Sequence, residues 1–228
     1  AVILNKGGST SQLRAAFMRR ELGDWELPDP PYIWLSKDTI SRFSPKTLSF
    51  MEFRSKRDVE ICEKIYADHP LLGEKTEGGW NVEFATEYHM TNDSKLFPPR
   101  PEWEKKGYRP DDYGRWIGPD GDVALPLYEG RMIGQFDFSE KGWVSGKGRS
   151  AKWREIPFDQ KAIEPQYLMA QTTYLESDKA VRGYKVGFMD VTSATNARTM
   201  IATVLSGEPC GNKVPVLRPE SRSSLPSC

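Results

Sequence analysis

Residues 80–88, WNVEFATEY, alternate in character, with Trp80, Val82, Phe84 and Tyr88 on one side and Asn81, Glu83 and Glu87 on the other. A period of two predicts a half-buried strand with Trp80, Val82 and Phe84 on its buried face. Arg182–Val191 repeats the pattern, Tyr184, Val186 and Phe188 alternating with Lys185 and Gly187. Further strands are expected over Met132–Phe138, Gln166–Leu175 and Lys213–Leu217. Two other segments have helical spacing. Ser55 and Asp58 stand three apart, as in a capping box. Val59, Cys62 and Tyr66 then follow at i, i+3 and i+7, and Pro70 stops the helix near His69. Thr192–Leu205 places Ala197, Met200, Ile201 and Val204 on one helical face, with Gly207 and Pro209 as stop signals. A short helix is expected within Ser11–Leu22, and Leu96–Asp122 reads as a long proline-rich loop. The fold class expected is α+β: a mixed, mostly antiparallel sheet, two main helices, and long proline- and glycine-rich loops.

Three regions follow from this reading. Residues 1–72 form a linker and helical segment, 73–217 a sheet-rich region, and 218–228 a polar, disordered tail. The 228 residues carry seven tryptophans and nine tyrosines, too many aromatics for a disordered chain. No stretch approaches the roughly 20 apolar residues of a membrane span. Cys62, Cys210 and Cys228 are widely spaced and odd in number, so neither a disulfide framework nor a metal cluster is expected, and a cytoplasmic location is. Lysine plus arginine and aspartate plus glutamate are balanced at 32 each. Stand-alone DNA binders carry a basic excess, because phosphate neutralisation supplies much of their affinity. The balance therefore argues against an independent, tight DNA-binding module.

The charge is nevertheless uneven. KGWVSGKGRSAKWR, residues 141–154, holds five basic residues, three glycines and two tryptophans. It reads as a flexible basic loop in which Lys147, Arg149, Lys152 and Arg154 can follow a phosphate backbone, with Trp143 and Trp153 as anchors or stacking platforms. Arg54, Lys56 and Arg57 at a helix start either touch phosphates or form a solvated face. Arg131 either contacts DNA or closes a tight turn with Glu129. Asp190 and Arg198 are read as a tie between strand and helix. His89 with Asn92, Asp93 and Ser94 reads as an Asx-type turn rather than a metal site. Asp29–Tyr32 spells DPPY, the tetrapeptide of adenine methyltransferases. The ELGDWELP before it is no buried strand, and no glycine-rich cofactor loop precedes it. We read it as a proline-rich turn.

Four segments, in order, resemble parts of the large adenine-specific DNA methyltransferases of bacterial restriction–modification systems, of the type IIG-like or single-polypeptide type I-like kind. They are LSKDTISRFSPKTLSFMEFRSKRDVEICEKIYADHPLL (35–72), WNVEFATEYHMTNDSKLF (80–97), LPLYEGRMIGQFD (125–137) and MDVTSATNARTMIATVLSGEPCGNKVPVL (189–217). In that family they follow the catalytic core and enter the target-recognition part. The chain departs from the pattern at Met189, where a basic residue is common, and at Phe138–Glu140, where basic or histidine residues are. The resemblance implies a non-catalytic piece of a DNA-modifying enzyme that helps hold duplex DNA. Its partner would be an upstream methyltransferase core, which binds the S-adenosylmethionine; no cofactor is expected in this chain. The alternatives are a stand-alone metal-dependent nuclease and a structural protein-interaction scaffold.

Overall fold

The computed structural model describes residues 7–26, 32–77, 79–193 and 195–219. The chain divides into two compact units, 1–79 and 80–228.

In the first unit, β1 (Gln12–Ala15) pairs antiparallel with β2 (Ile33–Ser36), Leu13 opposite Leu35. The helix expected over Ser11–Leu22 is replaced by β1, because β2 offers a buried partner and a short isolated helix is marginal. Two helices follow, α1 (Lys37–Phe43) and α2 (Lys56–Asp68). Ser36 caps α1 by accepting from the Thr39 amide at 2.9 Å. Ser55 and Asp58 form the expected capping box, with the Ser55 amide donating to Asp58 Oδ2 at 2.9 Å. The helix stops at Asp68, just before Pro70. Ile33, Leu35, Phe43, Phe53 and Val59 make the core of this unit, with Cys62 and Tyr66 packed against it.

The second unit is α+β and its strand ladders are antiparallel. Its elements are β3 (Val82–Ala85), α3 (Arg100–Lys105), β4 (Arg109–Pro110), β5 (Trp116–Ile117), β6 (Val123–Pro126), β7 (Lys141–Ser145), β8 (Lys152–Glu155), β9 (Leu168–Ala170), α4 (Gln171–Glu176), β10 (Lys185–Phe188), β11 (Ala202–Leu205) and β12 (Val216–Pro219). One four-stranded sheet has the order β11-β10-β12-β3 and another β4-β5-β6-β9, while β7 and β8 form a separate hairpin.

Several expectations are overturned here. Thr192–Leu205 is not a helix; its last four residues are β11, which lies along β10 with Val204 opposite Val186. Thr203 and Leu205 face the core while Val204 does not. Met132–Phe138 is not a strand: a 3-10 turn covers Gly130–Met132, and a tight turn from Gly134 to Asp137 carries Phe136 at φ 59°. Gln166–Leu175 is strand only over β9 and then becomes α4. Leu96–Asp122 contains α3, β4 and β5 rather than loop alone. Arg218 and Pro219 end β12 rather than opening a disordered tail, and Arg218 pairs with Glu83 at 3.0 Å. Residues 220–228 lie outside the described residues.

The alternation at β10 has the expected period but the opposite sidedness, whereas β3 does not alternate: Val82 and Ala85 are half-buried, and Glu83 and Phe84 are exposed. Trp80 is 75% exposed and Phe84 60%, whereas Glu87 is buried. In β10, Lys185 and Gly187 face the core, and Tyr184 is exposed. A methyl group on Gly187 would meet Leu205 Cδ1 at 2.6 Å and Val214 Cγ1 at 2.9 Å, so a larger residue there would have to displace packed core side chains. The outward Phe84 ring lies beside the Phe188 ring, with centroids 5.8 Å apart. Phe84→Ala is therefore expected to cost about 1 kcal/mol, not the roughly 3–5 kcal/mol of a buried aromatic. Urea denaturation measures the difference.

Buried charge is accommodated by pairing. Glu87 accepts from Lys185 Nζ (2.7 Å), Tyr174 Oη (2.9 Å), and the amides of Val181 (2.7 Å) and Cys210 (2.8 Å). Both charged side chains are fully excluded from solvent. The cluster ties the end of β3 to α4, β10 and the segment before β12. Burial and the neighbouring Glu87 push both the Tyr174 hydroxyl and the Cys210 thiol well up.

Candidate nucleic-acid interface

The basic segment 141–154 is a hairpin rather than a flexible loop. Lys141 lies opposite Glu155, Gly142 opposite Arg154 and Trp143 opposite Trp153, with a bulge before Ser145 meets Lys152. The tip needs glycine. Gly146 (φ 81°) and Gly148 (φ 56°) are left-handed, and a Cβ on Gly146 would meet the Ser150 carbonyl oxygen at 2.4 Å. The tip is held from below. Trp143 Nε1 donates to the Gly146 carbonyl at 3.0 Å, and Gln166 Nε2 donates to the same oxygen at 3.2 Å. Ser150 Oγ donates to the Lys147 carbonyl at 2.9 Å.

The candidate DNA-contacting residues separate by environment. Lys147, Arg149 and Lys152 are exposed, with no side-chain partner among the described residues. Arg154 instead forms a two-pronged pair with Glu164, its Nε 3.1 Å from Oε2. Trp143 is 9% exposed, and the Arg100 guanidinium lies 4.5 Å from its ring centroid. It is thus an anchor for the tip and unavailable for stacking on a base. Trp153 is half-buried against the core that contains Tyr128 and Val216, with one side on a neighbouring groove. Arg54, Lys56 and Arg57 belong to the first unit, at the exposed start of α2. Arg57 pairs with Glu60 at 3.4 Å.

The groove beside the hairpin has a volume of about 850 Å³. Glu129 and Arg131 line it from the turn after β6, Trp153 from β8, Tyr167 from the approach to β9, and Lys213 from the approach to β12. Arg131 is exposed there. Lys213 is held by Asp190 at 2.7 Å, so Asp190 ties two loops of the sheet together rather than pairing with Arg198. Burial pushes the Glu129 carboxyl up to about 7, against the opposing charge of Arg131. Its Oε1 has no hydrogen-bond partner. In the sequence Glu129 stood only as the partner of Arg131 in a tight turn; its burial had no local signal, since EGR between apolar stretches is equally the sequence of a solvated turn.

No protein-family model, curated protein or solved structure matches the chain.

His89 is part of a turn, as expected. Its amide donates to Asp93 Oδ2 at 2.8 Å, and that bond, with Lys179, holds the Asp93 carboxyl below its ordinary range. Among the described residues, no three histidine, cysteine or acidic side chains are placed to hold a metal ion. No helix among them is long and apolar enough to cross a membrane. Asp29, Pro30 and Pro31 lie outside the described residues; Tyr32 packs under the Arg14 guanidinium, 4.5 Å from its ring centroid. At the positions where the chain departs from the methyltransferase pattern, Met189 packs against the core, Phe138 is exposed and Ser139 is buried.

Proposed function

We propose that the chain is a non-catalytic segment of an adenine-specific DNA methyltransferase of a bacterial restriction–modification system, and that it holds and positions duplex DNA for the catalytic core. S-adenosylmethionine belongs to that core, and no residue of this chain is assigned to it. The observation that carries the reading is the hairpin tip. Three cations, Lys147, Arg149 and Lys152, project from a braced two-stranded ribbon without internal acidic partners. Lysine and arginine at the end of such a ribbon can meet the phosphates of a duplex backbone. The four ordered segments that resemble the methyltransferases support the same reading. Arg154 leaves the contact set, because its guanidinium is occupied by Glu164.

Such contacts position the protein without reading sequence. The variant Lys147→Ala/Arg149→Ala/Lys152→Ala of the full chain should lose duplex affinity on the order of a hundredfold at about 0.1 M salt. The loss should be equal on two duplexes of unrelated sequence, measured by fluorescence anisotropy. Unchanged affinity on both would remove the hairpin from the interface.

A further inference from the structure

The sheet β11-β10-β12-β3 turns an apolar face to solvent. Its register sets Phe84, Leu217, Val186 and Val204 in one row across the four strands. Phe188 and Ala202, opposite each other, belong to the next row on the same side. Phe84 is 60% exposed and Val204 58%, and the other four are half-buried. None of the six is charged, and none carries a side-chain hydrogen-bonding group. The polar residues of these strands lie on the opposite side, where Lys185 and Thr203 are buried in the core and Glu83 pairs with Arg218. The solvated face of an antiparallel sheet is ordinarily the polar one. Here the sides are reversed, and a contiguous exposed apolar patch marks an interaction site.

The relief of this face is complementary to itself. Along the first row the side chains run from large to small, Phe84 and Leu217 on β3 and β12, then Val186 and Val204 on β10 and β11. A twofold axis parallel to the strands, between β10 and β12, sets β3 of one copy over β11 of the other. Phe84 then lies over Val204, and Leu217 over Val186. Large meets small at each position, as interdigitating layers require. Charged and polar groups are what let a surface select a different protein, and this face has none. Brought against itself, it opposes no like charges.

The area is that of a modest dimer. With roughly 150–250 Å² to an aromatic side chain, the six residues leave on the order of 350 Å² of apolar surface in solvent. Two such faces supply about 700 Å², which at ordinary interface polarity corresponds to about 1,200 Å² in all, the lower end of the range for specific complexes. We propose that this face is a dimer interface, docking on the same face of a second copy of the chain, sheet on sheet. A twofold contact of this kind closes at two copies and does not propagate. It uses none of Lys147, Arg149 and Lys152, and so stands apart from the DNA-holding reading.

The test is sedimentation velocity of the full chain, without DNA, over a range of concentrations. An interface of this size should be dissociated at about 1 µM and dimeric at about 100 µM. Val204→Glu and Phe84→Glu each put a charge on the face. Both positions are more than half exposed in the single chain, so the fold is retained, and circular-dichroism melts check that it is. Each variant should weaken dimerisation by about a hundredfold or more, and so sediment as a monomer throughout. Phe158→Glu alters an aromatic that is 93% exposed but lies outside the sheet, and should dimerise like the parent. A parent that stays monomeric at the highest concentration overturns the proposal. So does a dimer that survives Val204→Glu, or one lost equally in Phe158→Glu.

Discussion

Lys185→Ala is expected to destabilise the second unit by about 3–5 kcal/mol, the usual cost of removing one partner of a buried ion pair. The substitution leaves Glu87 charged, wholly buried and short of its only cationic donor, with Tyr174 and two backbone amides unable to replace it. The melting temperature should fall by roughly 10–15 °C. Glu87→Ala should cost a similar amount, by stranding the ammonium group. The double variant Glu87→Gln/Lys185→Met should recover a substantial part, because no unpaired charge remains. Chemical denaturation of the four proteins distinguishes coupling from simple loss of packing. A Lys185→Ala variant within about 1 kcal/mol of the parent would show that the pair does not hold the unit together.

Glu129→Gln should do the reverse, stabilising the protein at pH 8 and leaving it unchanged at pH 4. The native carboxyl titrates at about 7 against an ordinary value of 4.5. Between those values the native state holds a proton that the unfolded chain has released. Stability therefore falls as pH rises through this window, and the full penalty is present above it. Glutamine has no such penalty. The gain at pH 8 should be on the order of 3 kcal/mol, set by the size of the shift. Thermal melts of parent and variant across pH 4–8 read the difference directly, other titrating groups cancelling between them. A difference that does not change with pH would mean that Glu129 is solvated.

Local signals in the chain were readable and non-local ones were not. The start of α2 is written within four residues, since Ser55 and Asp58 satisfy each other's backbone amides whatever lies further along the chain. The period of two at 184–188 was likewise plain, but which side faces inward depended on Glu87, 98 residues away from Lys185. Either residue alone belongs on a solvated face; together, with Tyr174, they are compatible with the interior. Thr192–Leu205 failed for a related reason. Its helical spacing is genuine, yet Ala202–Leu205 also has strand character, and pairing with β10 decides between the two. The hairpin carried a readable clue in Trp143 and Trp153, two tryptophans flanking a glycine-rich centre and facing each other across the ribbon. Its basic composition was legible; the capture of Arg154 by Glu164 and the burial of Trp143 were not. Glu129 could be recognised only once the turn, the Lys213 backbone and Tyr167 were seen to surround it.

The salt dependence of duplex binding tests the DNA-holding role most directly. Each phosphate neutralised by a lysine or arginine contributes about one unit to the slope of log affinity against log salt. With Lys147, Arg149 and Lys152 on the backbone, the full chain should show a steep negative slope, and the triple alanine variant a slope shallower by about three. Parallel lines for the two proteins, or no salt dependence in the parent, would contradict the account.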